Sequence, residues 1–165
     1  MGMDVYGKHP ANDEGTYFRN NIWWWHPLAG FLTETYPDLT GDCTYWHSND
    51  GDGLDADGAK ALAAALQRDL DSGAVAAYAK EREEALAALP MQECGPCEGT
   101  GVRTDEVGRR FGMDQPRDPV TGQGGCNGCG GDGKVAPLGA DAPFSVENVQ
   151  EFATFLRSCG GFEIC

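Results

Sequence analysis

The sequence predicts an α+β protein: a mainly helical scaffold with a short pair of terminal strands, interrupted by an inserted β-hairpin module rich in cysteine. Three observations predict this arrangement. Apolar repeats of helical period lie on both sides of a glycine-rich stretch, that stretch has no helical period, and short apolar segments stand near both ends. We assign residues 1–91 and 137–165 to the scaffold and residues 92–136 to the insert.

The first part of the scaffold is expected to hold a strand and a helix. Residues 2–7 alternate weakly, as in a short strand, and residues 12–15 are typical of a turn. Because proline suits the first position of a helix, we expect a helix from near Pro27 that ends before Pro37. Its apolar face comprises Leu28, Phe31, Leu32 and Tyr36.

Two further helices are expected to form an antiparallel hairpin. The first follows the Gly/Asp-rich loop 47–58, where Asp55 or Asp57 is suited to cap it, and ends at Gly73. The second ends at Pro90. Their apolar positions are Leu62, Leu66 and Leu70 in the first and Val75, Tyr78, Leu86 and Leu89 in the second.

The end of the chain is expected to return to the sheet. Ser145 is suited to cap a last helix that bears Val149, Phe152 and Leu156 and stops at Gly160. Residues 162–165 are expected to form a strand that pairs with the N-terminal strand, because short edge segments need partners.

Composition and charge exclude several classes of function. The 165 residues are 41% hydrophobic and 23% charged, as in an ordinary globular protein, and the net charge is -14. Residues 93–136 hold 7 acidic and 5 basic side chains, so most of the negative charge lies in the scaffold. Such a surface disfavours nonspecific binding to nucleic acid or anionic membranes. Without an apolar N-terminal core or a run of ~20 apolar residues, we expect a cytoplasmic protein.

The cysteines predict one structural Zn²⁺ ion. Residues 94–101 (CGPCEGTG) and 126–133 (CNGCGGDG) both fit C-x-x-C-x-G-x-G. Two residues between thiolates let one turn present both sulfurs to a tetrahedral ion, and four ligands leave no open position for a catalytic water. The predicted ligands are Cys94, Cys97, Cys126 and Cys129. The alternative is two disulfides or four free thiols; Cys43, Cys159 and Cys165 have no assigned role.

These two repeats resemble the cysteine-rich domain of DnaJ-type chaperones, which is built from the same motif. The resemblance covers about residues 93–136, with two repeats where that family usually has four, and hence one ion instead of two. No His-Pro-Asp tripeptide is present, so activation of a chaperone ATPase is not implied. The resemblance implies a zinc-stapled hairpin that contacts extended polypeptide or a protein partner.

The spacer between the repeats has two interpretations. Its residues Val107, Phe111 and Met113 stand among Arg103, Arg109, Arg110 and Arg117, the only basic cluster of an acidic chain. The cluster is either a contact surface for an acidic partner or a solvated loop.

The aromatic N-terminal half also has two interpretations. Three successive Trp residues at 23–25 cannot all face one core, so one ring could line a cleft for a planar, nucleotide-like ligand. The candidate ligand-binding residues are Arg19, Asn20, Trp24, Trp46, Asn49 and Asp50. The alternative is that these aromatic side chains build the core.

Two histidines in the same half suggest a third candidate site. His26 and His47 with Asp50 or Asp52 would suit a second metal site or an acid–base pair, and hence a hydrolase, although the spacing is not diagnostic. A calcium loop over 50–57 is excluded because Leu54 occupies the fifth ligand position.

The leading prediction is therefore a non-enzymatic interaction or adaptor protein with a protein partner. The segments MGMDVYGK, WWWHPL and GGFEIC look like small proteins of phages and prophage regions, which implies a host protein as partner and the host cytoplasm as location. A ligand-sequestering protein is the alternative, and a hydrolase is the third hypothesis.

Overall fold

The computed structural model describes residues 2–165 and confirms a mixed α+β, mainly helical fold. The strands are β1 (Gly2–Gly7), β2 (Tyr17–Asn21), β3 (Gln92–Glu93), β4 (Lys134–Val135) and β5 (Phe162–Ile164). The helices are α1 (Ile22–Thr35), α2 (Pro37–Thr40), α3 (Ala56–Ser72), α4 (Ala74–Ala87), α5 (Glu106–Arg110) and α6 (Val146–Ser158). Single 3₁₀ turns cover Asp13–Gly15 and Gly95–Cys97.

The chain forms two compact units. The first comprises the chain up to Glu84 together with Ala142–Cys165, and the second comprises Ala85–Asp141. The second unit contains both cysteine pairs, the spacer and the strand pair β3–β4.

A three-stranded antiparallel sheet of order β2-β1-β5 lies in the first unit. Val5 of β1 stands opposite Phe18 of β2 and Ile164 of β5, and all three side chains are buried. The predicted pairing of the two terminal strands is confirmed. Strand β2 was not predicted, because its sequence YFRNN offers only one buried side chain and shows no apolar alternation.

The core of this unit lies between the sheet and helices α1, α3 and α6. Helix α3 packs mainly against α6. The largest fully buried side chains are Trp25, Phe152, Phe155, Phe162, Leu28, Leu32, Leu54, Leu62, Leu66, Leu156, Ile164 and Val5. Trp25 and Trp46 are both in this core, so aromatic residues supply much of its volume.

Helix caps agree with the sequence at three ends. Asp55 accepts a hydrogen bond from the Gly58 amide, and Ser145 accepts one from the Asn148 amide. Gly73 ends α3 in the left-handed conformation, with φ 81°. These caps depend on contacts within four residues, which is why sequence predicts them well.

Two predictions about the helices were wrong. Helix α1 begins at Ile22, with Asn21 as its cap accepting from the amides of Trp23 and Trp24, and Pro27 lies inside it. The expected hairpin of α3 and α4 does not form as a packed pair, because α4 buries only Val75 among its residues. An alanine-rich helix has too little apolar side chain to cover α3, whereas α6 supplies Phe152 and Phe155.

None of the helices within residues 2–165 combines the length and the apolar character that crossing a bilayer requires.

Candidate metal centre

The four paired cysteines are brought together by the two repeats of the second unit. Strand β3 leads directly into Cys94, and the 3₁₀ turn Gly95–Cys97 carries the second thiol of that pair. The second repeat returns to β4, which pairs antiparallel with β3, with Glu93 opposite Lys134. The base of the module is therefore a two-residue β-ladder, and the sulfurs lie just beyond it.

Contacts between the repeats are reciprocal. The Cys94 amide donates to the Gly133 carbonyl over 2.9 Å, and the Cys126 amide donates to the Gly101 carbonyl over 2.8 Å. In each case the first cysteine of one repeat bonds the last glycine of the other. The duplicated sequence thus produces a duplicated structure, in which each repeat holds its counterpart.

Two glycines make this close approach possible. A Cβ at Gly101 would lie 2.3 Å from the Gly131 carbonyl oxygen, and a Cβ at Gly133 would lie 2.2 Å from that of Gly99. Both glycines also have positive φ, 79° and 75°. Any larger residue would push the two repeats apart and separate the sulfurs.

The sulfur geometry fits one tetrahedral ion. The four Sγ atoms lie within 4.8 Å of one another, with 3.8 Å between Cys94 and Cys126 and 3.7 Å between Cys97 and Cys129. Tetrahedral bonds of ~2.3 Å to a central metal place sulfurs about 3.8 Å apart. None of the seven cysteines forms a disulfide, so the structure does not contain the alternative of two disulfides.

Backbone amides support negative charge on the sulfurs. The amide of Gly133 donates to the Cys129 sulfur over 3.2 Å, and that of Gly128 donates to the Cys126 sulfur over 3.4 Å. Burial raises the pKa of Cys129, but the amides of Gly133 and Gly131 and the neighbouring thiols outweigh it and lower that pKa to about 7. Burial and the neighbouring thiols raise the pKa of Cys94 to about 12. A cation would relieve the cost of ionising this buried group.

Two arginines fasten the spacer to the second repeat. Arg103 forms an ion pair with Asp105 over 2.9 Å and donates to the Asn127 side chain over 3.2 Å. The Arg117 guanidinium donates to the Gly130 carbonyl over 2.8 Å. These contacts were not predicted from the sequence, where both arginines were assigned to the basic cluster of the spacer.

The site can therefore hold one metal ion with four thiolate ligands from the protein. A tetrahedral set of four sulfurs suits zinc or iron, and all four positions are occupied by the chain itself. No oxygen or nitrogen ligand joins the cluster among residues 2–165.

Several of the residues proposed to bind a planar ligand have partners within the fold. Trp46 is buried in the core, where its ring stacks on Trp25 at a centroid distance of 6.3 Å. The Asn20 side-chain amide donates a hydrogen bond to the Asn148 side-chain oxygen, and Arg19 forms an ion pair with Asp4 over 3.5 Å. Trp24 is half-buried, Asn49 donates to the Gly2 carbonyl, and Asp50 accepts from Ser48. The alternative, that aromatic side chains of this half build the core, is correct for Trp25 and Trp46. Trp23 is the exposed residue of the three successive Trp residues.

The two histidines of the third candidate site lie side by side. The Nδ1 atoms of His26 and His47 are 2.8 Å apart. Burial lowers the pKa of His47, and the neighbouring His26 lowers it further. Asp52 instead accepts the amides of Thr44 and Tyr45, so it shapes its own loop.

The three remaining cysteines lie in the first unit. Cys43 and Cys159 are buried, and burial raises the pKa of both thiols, that of Cys43 to about 12. Cys165 is exposed.

No protein-family model matches this chain, and neither the curated proteins nor the solved structures contain a match to it.

Proposed function

We propose that this chain is a non-enzymatic interaction protein, in which one structural Zn²⁺ ion orders a module that binds a protein partner. The observation that carries the proposal is the closed set of four sulfurs, spaced at 3.7–3.8 Å across the repeats. A metal held by four protein ligands has no open position at which to bind and activate a substrate. Zinc is the ion of cysteine knuckles of this spacing, and the likeness to DnaJ-type repeats supports the same choice.

Exposed apolar side chains support the second unit as the interaction module. Within residues 2–165, the large exposed hydrophobic side chains of the first unit are all Tyr or Trp, namely Tyr6, Tyr17, Trp23 and Tyr45. Those of the second unit are mainly aliphatic: Leu89, Met91, Val107, Phe111, Val120 and Leu138. Exposed apolar groups with no polar atom gain most from being covered by a partner.

The spacer presents two of these side chains in a fixed conformation. Val107 and Phe111 stand four residues apart on and just after α5, and Phe111 is 63% exposed. Arg110 lies over the Phe111 ring at 5.5 Å. A Cβ at Gly108 would lie 1.5 Å from the Arg103 carbonyl oxygen, so the segment is packed closely against itself. This order favours the contact-surface interpretation of the spacer over a solvated loop.

Charge supports an acidic partner segment. Arg109 and Arg110 form no ion pair with any residue in the described part of the chain. The likeness of several segments to phage proteins makes a host protein the class of partner to examine first. The alternative of a nucleotide-binding protein has less support, because Trp46 and Asn20 are already engaged within the fold.

Metal analysis and affinity capture together test this function. Protein purified under reducing conditions should contain one zinc per chain, and Cys94→Ser/Cys97→Ser should contain none. Immobilised protein should capture a partner from bacterial lysate, and Phe111→Ser should lose it. Tyr45→Ser, which removes an aromatic side chain of similar exposure (57%) from the other unit, is the matched control and should retain it. A metal-free protein, or capture unaffected by Phe111→Ser, would contradict the proposal.

A further inference from the structure

The His26–His47 pair is a second group of metal-binding atoms, remote in sequence from the cysteines. One imidazole stands on α1 and the other on the loop before α3, and their ring centroids are 4.9 Å apart. Both residues are exposed, so the pair lies at the surface of the first unit.

The buried residues that precede the two histidines fix the positions of their backbones. Trp25 precedes His26 and Trp46 precedes His47, and both indoles are in the core. The Trp25 indole N–H donates to the Trp46 carbonyl, and the Trp46 indole N–H donates to the Thr40 carbonyl over 3.2 Å. The backbones that carry the two imidazoles are therefore fixed relative to each other. Ligands that are already positioned lose little conformational entropy when an ion binds.

The 2.8 Å between the nitrogens is the length of a hydrogen bond, and it also matches the spacing of two right-angled ligands on one ion. Two nitrogens bound at ~2.0 Å subtend a right angle at the metal when they are about 2.8 Å apart, whereas a tetrahedral ion requires about 3.3 Å. The observed separation is 2.8 Å. Right-angled nitrogen ligands are typical of square-planar or tetragonal Cu²⁺ and Ni²⁺.

We propose that His26 and His47 form a second metal site, which holds a Ni²⁺ or Cu²⁺ ion through their Nδ1 atoms while water fills the remaining positions. When the ion binds, the imidazole that donates through Nδ1 becomes the Nε2–H tautomer, so both Nδ1 lone pairs bind the metal and no proton is released. No carboxylate completes the site among residues 2–165, since Asp52 bonds backbone amides and Asp50 bonds Ser48. The net charge of -14 raises the local concentration of cations around the site.

Ni²⁺ is the probe for the test, because Cu²⁺ oxidises thiols. Calorimetric titration of the zinc-saturated full-length chain with Ni²⁺ alone should show one ion bound. His26→Asn and His47→Asn should each weaken binding by on the order of tenfold or more, since each removes one of two protein ligands. His9→Asn removes the third histidine, which is exposed elsewhere, and should leave the affinity unchanged.

A second measurement needs no substitution. Paramagnetic Ni²⁺ should broaden the backbone amide resonances of residues 24–28 and 45–49 first. No heat of binding, equal affinity in all three variants, or broadening centred on the cysteine module would each overturn the proposal. Circular dichroism of each variant establishes that a loss of binding is not a loss of fold.

Discussion

Glycine side-chain size decides how closely the two cysteine repeats approach. Gly101 and Gly133 occupy equivalent positions, and each faces a backbone carbonyl of the other repeat at a distance that excludes a methyl group. The sulfurs depend on that approach, because the thiols pair across the repeats and not within them. Residues that bind no metal therefore help to set the metal geometry.

Gly133→Ala is expected to weaken zinc binding by one to two orders of magnitude without removing a ligand. The new Cβ would lie 2.2 Å from the Gly99 carbonyl oxygen and would occupy φ 75°. Competition against a fluorescent chelator measures the affinity. Gly112→Ala is the matched control, because it has φ 69° but open space around it, and it should retain the ion. Equal affinity in both variants would show that the approach of the repeats is not limiting.

The negative charge of Asp52 stabilises the loop that contains it. Its carboxylate accepts amides from Thr44, Tyr45 and Gly53, and the Tyr45 amide is the main cause that lowers its pKa. A pKa lowered by folding stabilises the native state above the unfolded value of ~3.9, and this stabilisation is lost as pH falls.

Asp52→Asn is expected to lower the Tm by a few degrees at about pH 7, and the difference from wild type should shrink below about pH 4. Thermal unfolding followed by Trp fluorescence measures both, since Trp46 lies in the adjacent loop. Asp50→Asn, whose carboxylate accepts from the Ser48 hydroxyl, serves as control and should show a smaller effect. A difference that stays constant with pH would contradict the role of the carboxylate charge.

At the scale of elements, local sequence signals predicted helix caps. They did not predict which helices pack against each other. Asp55 and Ser145 cap α3 and α6 as their sequences indicate, because a cap is decided within one turn. The start of α1 was misplaced, since Pro27 is a plausible first residue and only the Asn21 cap shows that the helix starts earlier.

Apart from the pairing of β1 with β5, the packing of distant elements was not predicted by the sequence pattern. Whether α3 packs on α4 or α6 depends on which helix offers enough apolar surface after the chain has turned. The cysteine cluster was predictable because its ligands repeat a motif with fixed spacing. The sequence suggested His26 and His47 as a pair without a diagnostic spacing, and the fold brings their Nδ1 atoms to 2.8 Å while it leaves Asp50 and Asp52 bonded elsewhere.

Asn21→Ala is expected to destabilise the protein by about 1 kcal/mol, because the amides of Trp23 and Trp24 lose their acceptor. Urea unfolding followed by Trp fluorescence measures the free energy of unfolding. Asn21→Asp should restore most of the loss, since aspartate caps helices as well as asparagine does. An alanine variant as stable as wild type would place the start of α1 elsewhere.

At the scale of the whole molecule, two units rest on different sources of stability. The first has a core of aromatic and aliphatic side chains, whereas the buried cluster of the second consists of cysteines with Val135 packed against them. So small a cluster buries too little apolar surface to order a module of this size by itself, and metal ligation would supply the difference.

Removal of the metal ion by a chelator is therefore expected to unfold the second unit locally. Hydrogen exchange in Cys94–Gly133 should become fast after treatment with a strong chelator, while amides of α1, α3 and α6 keep their protection. Far-UV circular dichroism should retain most of its helical signal, because these helices lie in the first unit. Loss of protection in both units together would show that they unfold as one.

The β3–β4 ladder has a consequence for protein engineering. Because Glu93 and Lys134 are partners in one antiparallel pair, the chain leaves and re-enters the module at adjacent backbone positions. A segment with such closely spaced ends can be transplanted into a β-hairpin of an unrelated recipient without stretching it. Residues 92–135 can therefore be moved as one segment, and the metal content of the recipient protein would show whether the segment has folded there.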